Sequence, residues 1–261
     1  MAPTPRTPAL RLTAAGLTVA ALTGCMASVP NRLEFSDTEK AKITGIVIGA
    51  GYGDVTVRAS AVAETTIKRT VRYAGAEPAR SYRVEGAVLR LDTDCGHDCS
   101  VSYDVEAPAG VAVRGELTSG DIDLTGVATV DVTVSSGTVT VQGATGNVRV
   151  TASSGDISVA DLAGPARLAV TSGSITGRGL GKARVDAEAD SGDIDLELTR
   201  ANSVTARVTS GDAKVLVPEG RYRVRTDVDS GDARVSIPDD PAATLTLDVS
   251  ANSGDLTVAR R

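Results

Sequence analysis

From residue 111 onward, apolar and polar side chains alternate in short runs. The alternation is broken at a steady interval by Ser-Gly-Asp or a close variant. The tripeptide stands at Ser119-Gly120-Asp121, Ser136-Gly137-Thr138, Ser154-Gly155-Asp156, Ser172-Gly173-Ser174, Ser191-Gly192-Asp193, Ser210-Gly211-Asp212, Ser230-Gly231-Asp232 and Ser253-Gly254-Asp255. Successive glycines are 17, 18, 18, 19, 19, 20 and 23 residues apart. A period near 20 marks a solenoid or a repeat array. Aligned on the glycine, the third position before it holds Leu117, Val134, Ala152, Val170, Ala189, Val208, Val228 and Ala251. The second position after it holds Ile122, Val139, Ile157, Ile175, Ile194, Ala213, Ala233 and Leu256. Apolar positions spaced by two, with Asp, Thr, Ser, Arg and Lys between them, describe strands with one buried face, and a helical period fits nowhere in this region.

Each repeat thus predicts two short strands. The Ser-Gly-Asp turn joins the second strand of one unit to the first of the next. Gly permits positive φ there, and Ser and Asp can hydrogen-bond local backbone groups. One repeat cannot bury its own faces, so the repeats must stack. Eight layers at ~4.8 Å each give a rod on the order of 40 Å long. Upstream, Ile46-Val47-Ile48 before Gly51-Tyr52-Gly53-Asp54, with Val55 and Val57 after, reads as a first, variant coil. The period then breaks. Glu64–Tyr73, Ser81–Glu85, Val88–Asp92 and Ser100–Glu106 read as longer strands in hairpins that widen or cap that end. Pro108-Ala109-Gly110 marks the entry into the regular array. The expected fold is all-β: a β-solenoid of stacked two-strand coils with an N-terminal β-hairpin cap. Residues 43–110 form the first coil and cap, and 111–261 the regular repeats of the same domain.

Composition sharpens this picture. Aromatics make up only 2% of the 261 residues, with no Trp and one Phe, Phe35. Val, Ile, Leu and Ala must fill the interior, which suits many thin layers better than one thick core. The formal net charge of −6 repels phosphate backbones, and no basic cluster with interleaved aromatics is present, so nucleic acid is excluded as a partner.

The N-terminus carries an address. Arg6 and Arg11 precede an apolar stretch from Leu12 to Leu22, too short to span a bilayer. It ends in Leu22-Thr23-Gly24-Cys25, which resembles a bacterial lipobox, where small residues precede a Cys that receives diacylglycerol. On this reading residues 1–24 are a lipoprotein signal peptide, and Cys25 is the lipidated first residue of the mature chain. The polar stretch 25–42 is a tether, and the protein is exported and held on the outer face of the bacterial cell membrane by its acyl chains.

With Cys25 lipidated, Cys95 and Cys99 remain in an oxidising compartment, within Asp94-Cys95-Gly96-His97-Asp98-Cys99. A disulfide across this loop is the preferred reading. The alternative is a metal site of Cys95, His97 and Cys99 with Asp94 or Asp98. His97 is the only His in the chain, so no Ser/His or Cys/His constellation exists. The turn acids Asp121, Asp156, Asp193, Asp212, Asp232 and Asp255 line one edge if the coils stack in register. Hard oxygen ligands of that kind suit Ca²⁺, but Asp can equally cap backbone groups without metal. Paired carboxylates such as Asp121/Asp123 and Asp193/Asp195 alternate outward on a repetitive face. No aromatic sugar platform accompanies them, so they read as surface charge rather than as the acid pair of a glycosidase or lyase. No catalytic residue, resident metal or cofactor is expected.

The run of Gly-Asp-[Ile/Val/Leu/Ala]-x-[Val/Leu] turns behind a lipobox resembles the toastrack family of bacterial β-strand-repeat proteins, domains of unknown function that are adhesin-like. The resemblance covers about residues 43–258, most strongly 111–258. It implies a β-solenoid in the bacterial envelope, with some relatives associated with envelope-stress systems, and it implies no known reaction. Two functions follow as expectations. One is a non-enzymatic structural or adhesion-like module that binds an envelope polymer or protein. The other is an accessory sensor or regulator in envelope-stress signalling.

Overall fold

The alternation predicts strands, and strands are what the chain forms. The computed structural model describes residues 31–74, 78–181 and 183–261, with no helix among them. The signal segment 1–24 and Cys25 lie outside the described residues. The chain opens with β1 (Asn31–Glu39), β2 (Gly45–Ile48), β3 (Val55–Ser60), β4 (Thr65–Tyr73), β5 (Tyr82–Glu85), β6 (Val88–Leu91) and β7 (Cys99–Pro108). The regular array follows as pairs. These are β8 (Ala112–Ser119) with β9 (Ile122–Thr125), β10 (Val130–Ser136) with β11 (Val139–Gln142), β12 (Val148–Ser154) with β13 (Ile157–Ala160), and β14 (Ala166–Ser172) with β15 (Ile175–Leu180). Then come β16 (Val185–Ser191) with β17 (Ile194–Leu198), β18 (Val204–Ser210) with β19 (Ala213–Val217), β20 (Tyr222–Ser230) with β21 (Ala233–Val235), and β22 (Leu245–Ser253) with β23 (Leu256–Arg260).

One member of each pair lies in each of two facing sheets. The first sheet has 12 strands in the order β1-β4-β7-β3-β9-β11-β13-β15-β17-β19-β23-β21, and the second has 11, β20-β22-β18-β16-β14-β12-β10-β8-β2-β6-β5. Setting aside β1, β4 and β5, each sheet holds ten parallel strands, one per coil. Neighbouring coils pair in register, so each sequence column becomes a spatial column. Val132 stands beside Val150, Leu168, Ala187 and Ala206 in successive strands. These inward columns close the space between the sheets, and nearly all their members are fully buried. One column has a gap at Gly177. A bulge in β15 lets Leu180 fill it together with Leu196, and their methyl groups lie 2.7 and 2.8 Å from where a Cβ of Gly177 would stand.

The structure corrects the sequence reading at three points. First, the stretch 25–42 is not wholly a tether. Asn31–Glu39 is a nine-residue strand paired antiparallel with β4. Leu33 and Phe35 turn inward, and Phe35 packs under the buried Arg69, whose guanidinium carbon lies 4.2 Å from the ring centroid. With only two apolar residues, the alternation was too thin to read as a strand. Second, the eight regular coils and the first coil of β2–β3 are joined by a tenth, because β6–β7, read as hairpin strands of the cap, also completes a coil, giving a stack on the order of 45 Å long.

Third, the coils do not stack in chain order at either end. The coil of β2 and β3 lies between those of β6–β7 and β8–β9, and the last coil in sequence, β22–β23, lies between those of β18–β19 and β20–β21. The columns show why. The inserted C-terminal coil presents Val249, Ala251, Leu256 and Val258, all buried, whereas the outermost coil has Thr226 and Ala233 in the same columns, both exposed. The more apolar coil takes the place covered on both sides.

The expected cap closes the N-terminal end. β4 pairs antiparallel with β7, and β5 with β6. Its interior is held by Tyr103, whose hydroxyl reaches the Ser81 Oγ at 2.7 Å and the Asp92 carbonyl at 3.0 Å, and Arg69 Nη1 donates to the same Ser81 hydroxyl at 3.1 Å. Burial pushes the Tyr103 phenol above its ordinary pKa, keeping it a neutral donor.

Candidate functional site

The repeated turn brings the candidate acids together along one edge. Each turn glycine needs a backbone that other residues avoid. Gly155 has φ 126°, and a Cβ there would stand 2.0 Å from the carbonyl oxygen of Gly137 in the adjacent turn. Successive turns therefore touch backbone to backbone, and only glycine permits it. The carboxylates sit beside this contact and link one turn to the next. Asp121 accepts the Thr138 N–H at 2.8 Å, Asp156 that of Ser174 at 2.8 Å, and Asp193 that of Asp212 at 2.9 Å. Asp212 accepts the Asp255 N–H at 2.8 Å, and Asp255 that of Asp232 at 3.0 Å, in the inserted order of the coils. Asp232 ends the row, with its side chain 77% exposed.

The row extends further than the Ser-Gly-Asp signal. Asp54 accepts the Asp121 N–H at 3.2 Å, and the Ser102 hydroxyl accepts the Asp54 N–H at 3.1 Å. Gly53-Asp54-Val55 carries the same pattern in sequence, whereas Ser102 has no local signal, because the coil of β6 and β7 lacks the turn motif. Each bonded Oδ1 accepts a single backbone N–H, so capping of the next turn is a role these acids fill without a metal. Among the described residues, no three His, Cys, Asp or Glu side chains gather as a metal-binding group.

Cys95 and Cys99 are joined in a disulfide, with Cα atoms 5.6 Å apart. The ring lies at the start of β7. Gly96 N–H bonds the Asp94 carboxylate at 3.0 Å, and the Asp98 carbonyl accepts the Ala74 N–H at 3.0 Å. His97 is exposed on this loop. The bond consumes both sulfurs and closes a short ring within the connection from β6 to β7.

The outer faces carry alternating charge. Arg178 on β15 donates two bonds to Asp195 on β17, each 2.9 Å, and holds that carboxyl below its usual range. Arg90 and Arg83 do the same for Glu85 beside the cap. Two open grooves run over these faces. One crosses the outer side of β1, β4, β7 and β3 past Glu34, Lys68 and Asp104, and the other crosses the second sheet past Asp131, Arg149, Arg167 and Asp186. Both mix signs, and the strand faces present extended arrays rather than one convergent cleft.

Two parallel sheets wound from one chain, closed by a turn stack of glycine and aspartate, define a two-sided β-solenoid. Residues 111–260 match the Toastrack DUF4097 family, and the chain belongs to it. Similar solved structures include a proposed adhesin from Bacteroides fragilis, 14% identical, covering 89% of this chain and 99% of that one, with a TM-score of 0.45. A proposed adhesin from Parabacteroides distasonis is 15% identical over 88% of this chain and 97% of that one, also with a TM-score of 0.45. A proposed lipid-binding protein from Parabacteroides distasonis is 12% identical over 90% and 98%, with a TM-score of 0.41. No curated protein matches the chain.

Proposed function

We propose that the chain is an exported lipoprotein, anchored through Cys25 to the outer face of a bacterial cell membrane. Its non-enzymatic solenoid acts there as an adhesion-like module that binds an envelope polymer or protein along its strand faces. The observation that carries this reading is the lipobox Leu22-Thr23-Gly24-Cys25 standing six residues ahead of β1, the edge strand of the cap. Among the described residues no helix is long and apolar enough to cross a membrane. In this reading the acyl chains on Cys25 hold the protein at the bilayer. The turn acids support the non-enzymatic part of the reading, since Asp121, Asp156 and Asp193 each use one carboxylate oxygen to cap the backbone of the next turn. The extended, mixed-charge faces suit a repetitive or extended ligand better than a small molecule.

The test is fractionation of cells expressing the wild type and Cys25→Ser, followed by crosslinking and capture from intact cells. The variant should leave the membrane fraction, and the wild type should capture wall polymer or matrix protein. Retention of Cys25→Ser on membranes overturns the anchor. Capture of a membrane signalling protein with no polymer or matrix replaces the adhesive role with a regulatory one.

A further inference from the structure

The two ends of the solenoid are finished differently. At the N-terminal end, β1, β4 and β5 continue both sheets antiparallel beyond the outermost coil. At the other end, β20 and β21 are the last strands of their sheets. Their inward positions are open. Thr226, Ala233 and Val235 are exposed, Val235 by 40%, while the matching positions of the next coil inward, Val249, Leu256 and Val258, are each 0% exposed. The following loop covers only the half of this end away from the turn. Ile237 packs over it, Asp239 bridges Tyr222 and accepts the Val224 N–H at 2.8 Å, and the Asp240 N–H bonds the Tyr222 carbonyl at 2.8 Å. Arg225–Ser230 and β21 are left as two bare strand edges flanking uncovered apolar side chains. Such edges are templates for pairing.

We infer that this open end is a self-association surface, and that its occupant is a second copy of the chain, docked end to end about a two-fold axis running along the strand direction. The rotation places β21 of the partner beside β20 in the second sheet, and β20 of the partner beside β21 in the first. Both new pairs are antiparallel, and the turns of the two copies lie on the same edge. Inward side chains stay inward, so Thr226, Val228, Ala233 and Val235 of both copies share one continued core. The outward charges select this arrangement. Asp227 and Asp229 point outward from β20, and Arg234 from β21. Either register that keeps inward residues inward sets the partner's Arg234 opposite Asp227 or Asp229. Arg234 is held only loosely within its own chain, 3.7 Å from Asp232 and 3.9 Å from Asp255, with its side chain 67% exposed. The other two-fold, β20 against β20, fails twice. It drives the partner's strand into the loop at Asp239, or, shifted clear of the loop, sets Asp227 against Asp229. The chosen interface is isologous, so association stops at two copies rather than growing into a filament.

The experiment is sedimentation equilibrium on the full chain carrying Cys25→Ser, so that no acyl group contributes, from micromolar to millimolar concentration. Far-UV circular dichroism verifies the fold of every variant. The parent should show a monomer–dimer equilibrium. Arg234→Asp should weaken it by about tenfold or more, since each dimer loses two opposite-charge contacts and gains two repulsions. Combining Arg234→Asp with Asp227→Arg and Asp229→Arg should restore it. A parent that stays monomeric throughout overturns the inference, as does a dimer indifferent to Arg234→Asp or one that the triple exchange fails to restore.

Discussion

Replacing Gly155 by Ala tests whether the glycine stack, rather than the core alone, holds neighbouring coils in register. Gly155 has φ 126°, and an added Cβ would stand 2.0 Å from the Gly137 carbonyl oxygen, 2.7 Å from its carbon and 3.1 Å from its nitrogen. Holding a side chain in that backbone region costs about 1–3 kcal/mol. The clash is with backbone, which has no rotamer to change, so the Gly137 carbonyl must recede by more than about 1 Å to regain van der Waals contact. That movement strains two bonds between adjacent turns, Gly155 N–H to the Ser172 carbonyl at 2.9 Å and Gly137 N–H to the Ser154 carbonyl at 3.1 Å. Each contributes about 1 kcal/mol. The expected loss is about 3–5 kcal/mol, near the upper end for a single substitution. Gly86 in the β5–β6 turn is the control. Its φ is 62° and nothing lies within 4 Å of an added Cβ, so Ala there should cost only about 1–2 kcal/mol of backbone strain. The assay is urea unfolding followed by far-UV circular dichroism, since the chain has no Trp to report by fluorescence. The midpoint should fall well below that of Gly86→Ala. A reduced slope would mean that the array splits into separately unfolding segments on either side of residue 155. Equal losses for the two variants would refute the reasoning.

Further outcomes follow from the same geometry. Asp156→Ala removes the acceptor of the Ser174 N–H and should cost about 1 kcal/mol in urea unfolding, and the wild-type melting temperature should not change on adding calcium or chelator. Removing the Cys95–Cys99 bond as a double Ser variant should cost about 2 kcal/mol, the value for so short a ring, read as a lower urea midpoint. The Arg178 guanidinium depresses the Asp195 pKa, so this pair stabilises the fold above the ordinary carboxylate pKa and loses its contribution as pH falls through the lowered folded value. The contribution is up to about 1 kcal/mol because the pair is partly exposed, and Asp195→Asn should flatten the acid limb of a stability–pH profile, whereas an unchanged limb counts against it.

Much of this protein was legible in its sequence because side-chain alternation and turn chemistry are local. A strand's buried face repeats every second residue, so the columns at Ile122 or Val134 could be read without knowing what lies beside them. The turn announces itself through a glycine that nothing else can replace. The strands at 65–73, 82–85, 88–91 and 99–108 follow from the same rule, and the Cys95–Cys99 pair was read from the two cysteines left when Cys25 is assigned to lipid. Relations between coils were not legible, because parallel strands with Val and Ile alternation pair equally well with any neighbour. Which coil sits beside which is decided by how completely each place in the stack is covered. That is why Leu245–Arg260 slips inside Tyr222–Val235, leaving the inward side chains of Thr226 and Ala233 uncovered at the end of the stack. The strand at Asn31–Glu39 exists because β4 offers it an edge and Arg69 offers Phe35 a partner, neither of which lies near it in the chain. The contacts of the turn acids were hidden in the same way. Six similar aspartates in sequence allow a calcium row or a capping row, and only the stacking of the turns shows that five of them have the next coil's N–H within 2.8–3.0 Å of a carboxylate oxygen. Periodicity determined what each coil buries, and the packing of whole coils decided their order, their ends and the work of their turns.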